Sequence, residues 1–177
     1  MNLPNKLTVL RVIMVPFFVF FMLTGVGGAA NKWIALIIFC VASLTDMLDG
    51  KIARARNLVT NFGKFMDPLA DKLLVCSAMI CMIPVGKLQA WFVIVIIARE
   101  FMITGFRTLA VAQTIVIAAG FWGKLKTICQ MFMIIFLLLN FNNSITIVIS
   151  HILIWASLIL AIVSAVDYIA NNKQVLK

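Results

Sequence analysis

Apolar runs interrupted by charges, glycine or proline divide the chain into six segments, at about 8–25, 32–49, 65–84, 88–110, 124–141 and 145–170. Each approaches the roughly 20 residues that carry an α-helix across the hydrocarbon core of a bilayer. Backbone in lipid must satisfy its hydrogen bonds internally, and the runs are too long and too continuously apolar for barrel strands, so the pattern predicts helices. TGVGGAANK, PVGKLQ and NFNNS read as short turns, whereas 50–64 and 107–126 carry clustered Lys and Arg. The expectation is an all-α integral membrane protein: a single domain over 1–177, built as a bundle of six transmembrane helices.

Composition strengthens this reading. Of 177 residues, 64% are hydrophobic and 12% charged, and the mean hydropathy of +1.12 lies outside the soluble globular range. A formal charge of +9 raises the question of nucleic acid, but the basic residues are spread among apolar runs and form no basic arm, so no nucleic-acid partner is expected. Membrane topology explains them. Lys6, Arg11, Lys51, Arg54, Arg56, Lys64, Arg107, Lys124, Lys126, Lys173 and Lys177 fall on one side of a six-span arrangement, and only Lys32 and Lys87 on the other. The positive-inside rule then puts both termini, and the loops after the second and fourth spans, in the cytoplasm. Lys6 and Arg11 ahead of an apolar run and GVGGAA imitate a secretory leader, but the run is long enough to span and further spans follow, so it reads as a membrane helix. Cys40, Cys76, Cys81 and Cys129 sit in hydrophobic stretches without a CxxC pair and read as buried, inert thiols.

Four of the six acidic residues stand in DMLDGKIARARNLVTNFGKFMDPLAD, Asp46 to Asp71. Residues three or four apart share a helix face, so Asp46 and Asp49 aim together at the end of the second span, and Asp67 and Asp71 near the start of the third. Four such charges at a lipid boundary need cations or protons. Lys51, Arg54, Arg56 and Lys64 could neutralise them in an ion-pair network that merely closes a loop. Gly50, Ala53 and Gly63, interleaved with the charges, point instead to a surface that something approaches closely. Hard oxygen ligands without His or Cys favour Mg²⁺ or Mn²⁺ over zinc, and two divalent ions balance four carboxylates. A paired-metal site suits phosphoryl transfer, with Arg54 as a phosphate ligand beside it.

The spacing DxxDGxxAR, eight residues, then GxxxDxxxD, carried by Asp46, Asp49, Gly50, Ala53, Arg54, Gly63, Asp67 and Asp71, matches the signature of the CDP-alcohol phosphotransferase family at every position. The match covers 26 residues, and six spans with cytoplasmic termini also resemble that family. The resemblance implies transfer of a phosphatidyl group from CDP-diacylglycerol to an alcohol, with release of CMP. It implies two divalent cations on Asp46, Asp49, Asp67 and Asp71, with Asp71 also the general base. It further implies a CDP site lined by Asp49, Gly50, Ala53, Arg54, Gly63 and Lys64, and a homodimer in the cytoplasmic membrane with its site facing the cytoplasm. Asn5 and Thr8 open the first span and could contact the nucleotide, although an ordinary helix-start role explains them equally.

Family members differ in acceptor, and a phosphorylated acceptor needs further cations. Arg99 and Glu100 lie inside the fourth span of IIAREFMITGFRTLA, and Arg107 stands roughly 12 Å further along the axis. Charges there are costly and point to function, unless Arg99 and Glu100 only pair with buried groups and Arg107 snorkels to the headgroups. Lys124 and Lys126 in GKLKTICQ are partly explained by topology alone. With NLPNKLTVLRV, IARE and GKLKT, the chain resembles the bacterial branch of the family whose acceptor is glycerol 3-phosphate and whose product is phosphatidylglycerol phosphate. Arg107, Lys124, Lys126 and Arg99 are the expected ligands of the acceptor phosphate.

His151 reads as a boundary or packing residue, Asp167 has no specific role, and the many Met and Phe face lipid or neighbouring helices. Trp33, Trp91 and Trp155 fall toward the outer boundary and Trp122 toward the inner one, as an aromatic belt predicts. Other readings are the same reaction with serine, inositol phosphate or a lipid as acceptor, a cation transporter using the carboxylates as its path, and a non-catalytic scaffold. The transporter would not require the small residues between the acids, nor would it place all four aspartates at one membrane face, and the scaffold, in which the cluster merely closes a loop, should tolerate Asp71→Asn.

Overall fold

The computed structural model describes residues 3–55, 61–113, 117, 120–139 and 143–176, with side chains at 3–4, 46–55 and 61–65 among those left undescribed. Among the described residues stand six α-helices: α1 (Leu3–Leu23), α2 (Asn31–Ala55), α3 (Asn61–Cys81), α4 (Ala90–Ala112), α5 (Phe121–Leu139) and α6 (Ser144–Asn171). Three of them, α1 over Asn5–Leu23, α5 and α6, are long and apolar enough to cross a membrane, and α2 adds a shorter apolar stretch, Asn31–Thr45. Large apolar side chains are exposed along every helix, including Phe17, Ile37, Leu73, Ile94, Phe101, Phe132 and Val166. Such a surface belongs in lipid, and the chain is a membrane protein.

The helices follow the predicted runs but overrun them where charge begins. The second run ends at 49 by hydropathy, yet α2 continues to Ala55, and α3 starts at Asn61 where hydropathy places 65. Hydropathy marks the edge of the apolar stretch, whereas backbone pairing continues through DGKIARA, which contains good helix formers. The turns use the residues expected of them: Gly28 and Gly86 take positive φ, at 55° and 72°, and the Asn143 side chain caps α6 by accepting from the Ile145 amide.

The chain forms two compact units, residues 1–87 and 88–177. In the first, α1 buries Asn5, Thr8, Arg11, Val15 and Phe18, a single helical face that is polar at its start and apolar beyond. Arg11 meets the Ala42 carbonyl and Phe18 the Phe39 ring, at 6.1 Å between centroids, so α1 and α2 run antiparallel. Ala35, Ala42, Ala70 and Ala78 are wholly buried. In lipid, helices associate through close packing and interhelical hydrogen bonds, and small residues at the contacts permit both.

In the second unit, α4 and α6 run parallel. The contacts Trp91 with Trp155, Arg99 with Ser164 and Phe106 with Tyr168 advance together along both helices, and just past their ends Gln113 donates to the Val175 carbonyl. Helix α5 returns antiparallel, with Lys126 reaching Glu100 and Cys129 reaching Ser157. Its buried residues Lys126, Cys129, Gln130, Met133, Ile134, Leu137 and Leu138 recur at helical spacing. Past α6, a 3-10 turn at Lys173–Leu176 returns Val175 to a core of Ile103, Phe106, Ala110, Ala165 and Tyr168.

Candidate active site

The signature is divided between two helices. Asp46, Asp49, Gly50, Ala53 and Arg54 occupy the C-terminal turns of α2, and Gly63, Lys64, Asp67 and Asp71 the N-terminal half of α3. The side chains of Asp46, Asp49, Ala53, Arg54 and Lys64 lie outside the described residues. Asp67 and Asp71 are described. They stand one turn apart on α3, both half-buried.

The first helix supplies the polar face against this site. Thr8, fully buried, donates its hydroxyl to Asp67 Oδ1 at 2.6 Å, and Asn5 is buried one turn earlier. Arg11, also fully buried, donates from Nε to the Ala42 carbonyl at 3.2 Å. The same carbonyl accepts the Thr45 hydroxyl at 2.7 Å. The structure thus brings Thr8 to an aspartate of the signature. Arg11, expected only as a topological charge, is an internal residue of the bundle. Its spacing from Thr8, Val15 and Phe18 along one helical face is the signal that marks it as buried.

The donor set fits hard divalent cations. Every candidate ligand is a carboxylate, and the Thr8 hydroxyl engages one oxygen of Asp67 while the other is left to accept elsewhere. Among the described residues no three metal-ligating side chains gather, so Asp67 and Asp71 are the part of the set that can be seen in place.

A second polar cluster lies within α4–α6. Glu100 accepts from Arg99 Nη1 at 2.9 Å and from Lys126 Nζ at 2.5 Å, and Arg99 Nη2 donates to Ser164 Oγ at 2.8 Å. The side chains involved are almost sequestered, at 4% exposure for Lys126 and 12% for Glu100. Sequence reasoning missed Ser164, a hydroxyl far along the chain in an apolar helix. Arg107 and Lys124, by contrast, are exposed. Asp167 accepts from Asn171 Nδ2 at 3.0 Å, and His151 is exposed on α6.

Residues 1–163 match the sequence profile of the CDP-alcohol phosphatidyltransferases, a stretch that takes in all of α1–α5 and most of α6. The chain belongs to that family. Curated relatives align along almost the whole of it. It is 41% identical to a CDP-diacylglycerol–glycerol-3-phosphate 3-phosphatidyltransferase of Bacillus subtilis, covering 99% of this chain and 97% of that protein. It is 38% identical to a probable phosphatidylglycerophosphate synthase of Mycobacterium tuberculosis, covering 96% and 81%. A CDP-diacylglycerol–glycerol-3-phosphate 3-phosphatidyltransferase of Rickettsia typhi is 35% identical, with 94% of each chain covered. As a CDP-alcohol phosphatidyltransferase, the chain carries its signature on α2 and α3, with the polar face of α1 set against both helices.

Proposed function

We propose that the protein transfers the phosphatidyl group of CDP-diacylglycerol to sn-glycerol 3-phosphate, forming phosphatidylglycerol phosphate and CMP in phospholipid biosynthesis. The observation that carries this reading is the complete aspartate signature in a chain whose family match runs over residues 1–163. The names of the relatives support the acceptor.

In this reading Asp46, Asp49, Asp67 and Asp71 hold two divalent cations, Mg²⁺ or Mn²⁺. When bound, such cations supply positive charge for the pyrophosphate and for the leaving phosphate of CMP. Arg54, with Gly50, Ala53, Gly63 and Lys64, binds the nucleotide part. Asp71 accepts the proton of the acceptor's primary hydroxyl, the resulting oxygen attacks the phosphorus that bears the diacylglycerol, and the bond from that phosphorus to the CMP oxygen breaks. The acceptor phosphate is met by cations of α4 and α5. In this reading those cations are Arg107 and Lys124, which are exposed, and Lys126 and Arg99, which are also bonded to Glu100.

The same reading takes the chain as one family domain with six spans, both termini cytoplasmic and the site opening to the cytoplasm. CDP-diacylglycerol then enters from the surrounding lipid with its acyl chains left there. The resemblance to the family adds a homodimer. Supporting the topology are the parallel run of α4 and α6 with α5 antiparallel between them in sequence, which alternating spans require, and the pairing of Trp91 with Trp155.

The test is release of CMP by the purified protein in detergent, given CDP-diacylglycerol and Mg²⁺ or Mn²⁺, with glycerol 3-phosphate, serine or inositol phosphate supplied in parallel. Release with glycerol 3-phosphate alone is expected. Release with another alcohol alone overturns the acceptor, and release with none overturns the reaction.

A further inference from the structure

The buried face of α1 is an unusual place for three polar residues. A helix packed inside a membrane bundle normally fills its buried face with apolar or small side chains, because each polar group there must find a partner. Here Asn5, Thr8 and Arg11 occupy the buried positions, and the apolar residues Val15 and Phe18 resume the same face only beyond them. Two of their contacts are directed at the two helices that carry the aspartates. Thr8 donates to the Asp67 carboxylate on α3 at 2.6 Å. Arg11 donates to the Ala42 carbonyl on α2 at 3.2 Å. In an α-helix the carbonyl of residue 42 closes the turn on the amide of residue 46, so Arg11 grips the backbone at the turn that leads into Asp46.

We infer that this stripe of α1 is a brace for the metal site, in which Thr8 is a positioning residue for Asp67 and Arg11 holds the turn of α2 that presents Asp46. The inference rests on the proposed function and assigns to Thr8 a role different from nucleotide contact. A hydroxyl bonded to one carboxylate oxygen fixes the rotation of the group and leaves the other oxygen to a cation. Partners of this kind, bound to a ligand and not to the metal, change metal affinity by roughly 10–100-fold when removed. Thr8→Val keeps the branched shape and deletes the donor. Thr8→Ser keeps the donor and trims a methyl group.

Both variants and the native protein, purified in detergent, are titrated with Mn²⁺ alone, with the free ion followed by its electron paramagnetic resonance signal; CMP release is then measured at saturating Mn²⁺. Unfolding temperatures establish that each variant is folded. Thr8→Val is expected to weaken Mn²⁺ binding by roughly tenfold or more, Thr8→Ser to restore most of it, and the KM for CDP-diacylglycerol to stay near native once Mn²⁺ saturates. Native Mn²⁺ affinity in Thr8→Val overturns the brace, as does a raised KM for CDP-diacylglycerol with unchanged Mn²⁺ affinity, which returns Thr8 to nucleotide contact. If the native protein binds no Mn²⁺ and releases no CMP, the proposed function itself falls, and the brace with it.

Discussion

The two units display buried polar contacts of different kinds. In α4–α6, Glu100 stands between two cations, each within hydrogen-bonding distance, so the ionised groups there largely satisfy one another. In α1–α3, Asp67 accepts a neutral hydroxyl on one oxygen and Arg11 donates to a backbone carbonyl, contacts that orient both groups. Opposite charges that close on each other in low dielectric are a structural device, costly to break. A carboxylate fixed by a neutral donor keeps its charge for something else. Under the proposed function, that difference separates an acidic site that takes divalent cations from the polar seam that joins three helices.

Three substitutions would break or sharpen this contrast. The largest effect is expected from Asp71→Asn, which keeps the shape of the side chain and removes its basicity. Turnover should fall by roughly 10²–10⁴-fold, the usual worth of a positioned general base, while the unfolding temperature in detergent stays near native. A variant that turns over normally would strip Asp71 of its assigned role. Next comes Glu100→Gln, which leaves Arg99 and Lys126 without their shared counter-charge. Removing one member of a buried ionic group costs about 3 kcal/mol or more, so a marked drop in thermal stability is the expected readout. Unchanged stability would mean that the seam is not what holds α4 to α5. The smallest effect belongs to Arg107→Gln on the exposed side. Here the KM for glycerol 3-phosphate should rise by about tenfold or more, as loss of a charge-assisted hydrogen bond implies, with the unfolding temperature unmoved.

Much of this molecule is legible in its sequence, for physical reasons that also explain the gaps. Lipid imposes a length and an apolar character on each span, so the six runs locate α1–α6 without any alignment. The aspartate spacing is local, which is why the sequence alone pairs Asp67 and Asp71 on one helix face. Helix ends were less legible at α2 and α3, since hydropathy falls at the first charges and the backbone ladder does not. Long-range partners were least legible. Nothing near Lys126 announces Glu100, which lies 26 residues away, and nothing near Arg99 announces Ser164, 65 residues away. In the sequence Arg11 reads as a topological charge, because a charge at the mouth of a span ordinarily has that role. Its full burial follows from which face of α1 turns inward, a property of packing.

The bond between Arg99 and its immediate neighbour Glu100 bears on how the chain is made. During synthesis α4 emerges well before Lys126 and Ser164, yet it already contains a guanidinium and a carboxylate able to neutralise each other. A nascent helix with its own counter-ion faces a smaller barrier on entering the bilayer than one carrying a lone charge. Under the six-span reading, α4 can therefore insert as a self-neutralised segment and exchange into the wider network when α5 and α6 arrive. Ribosome-bound chains truncated shortly after α4 would display that order of events directly.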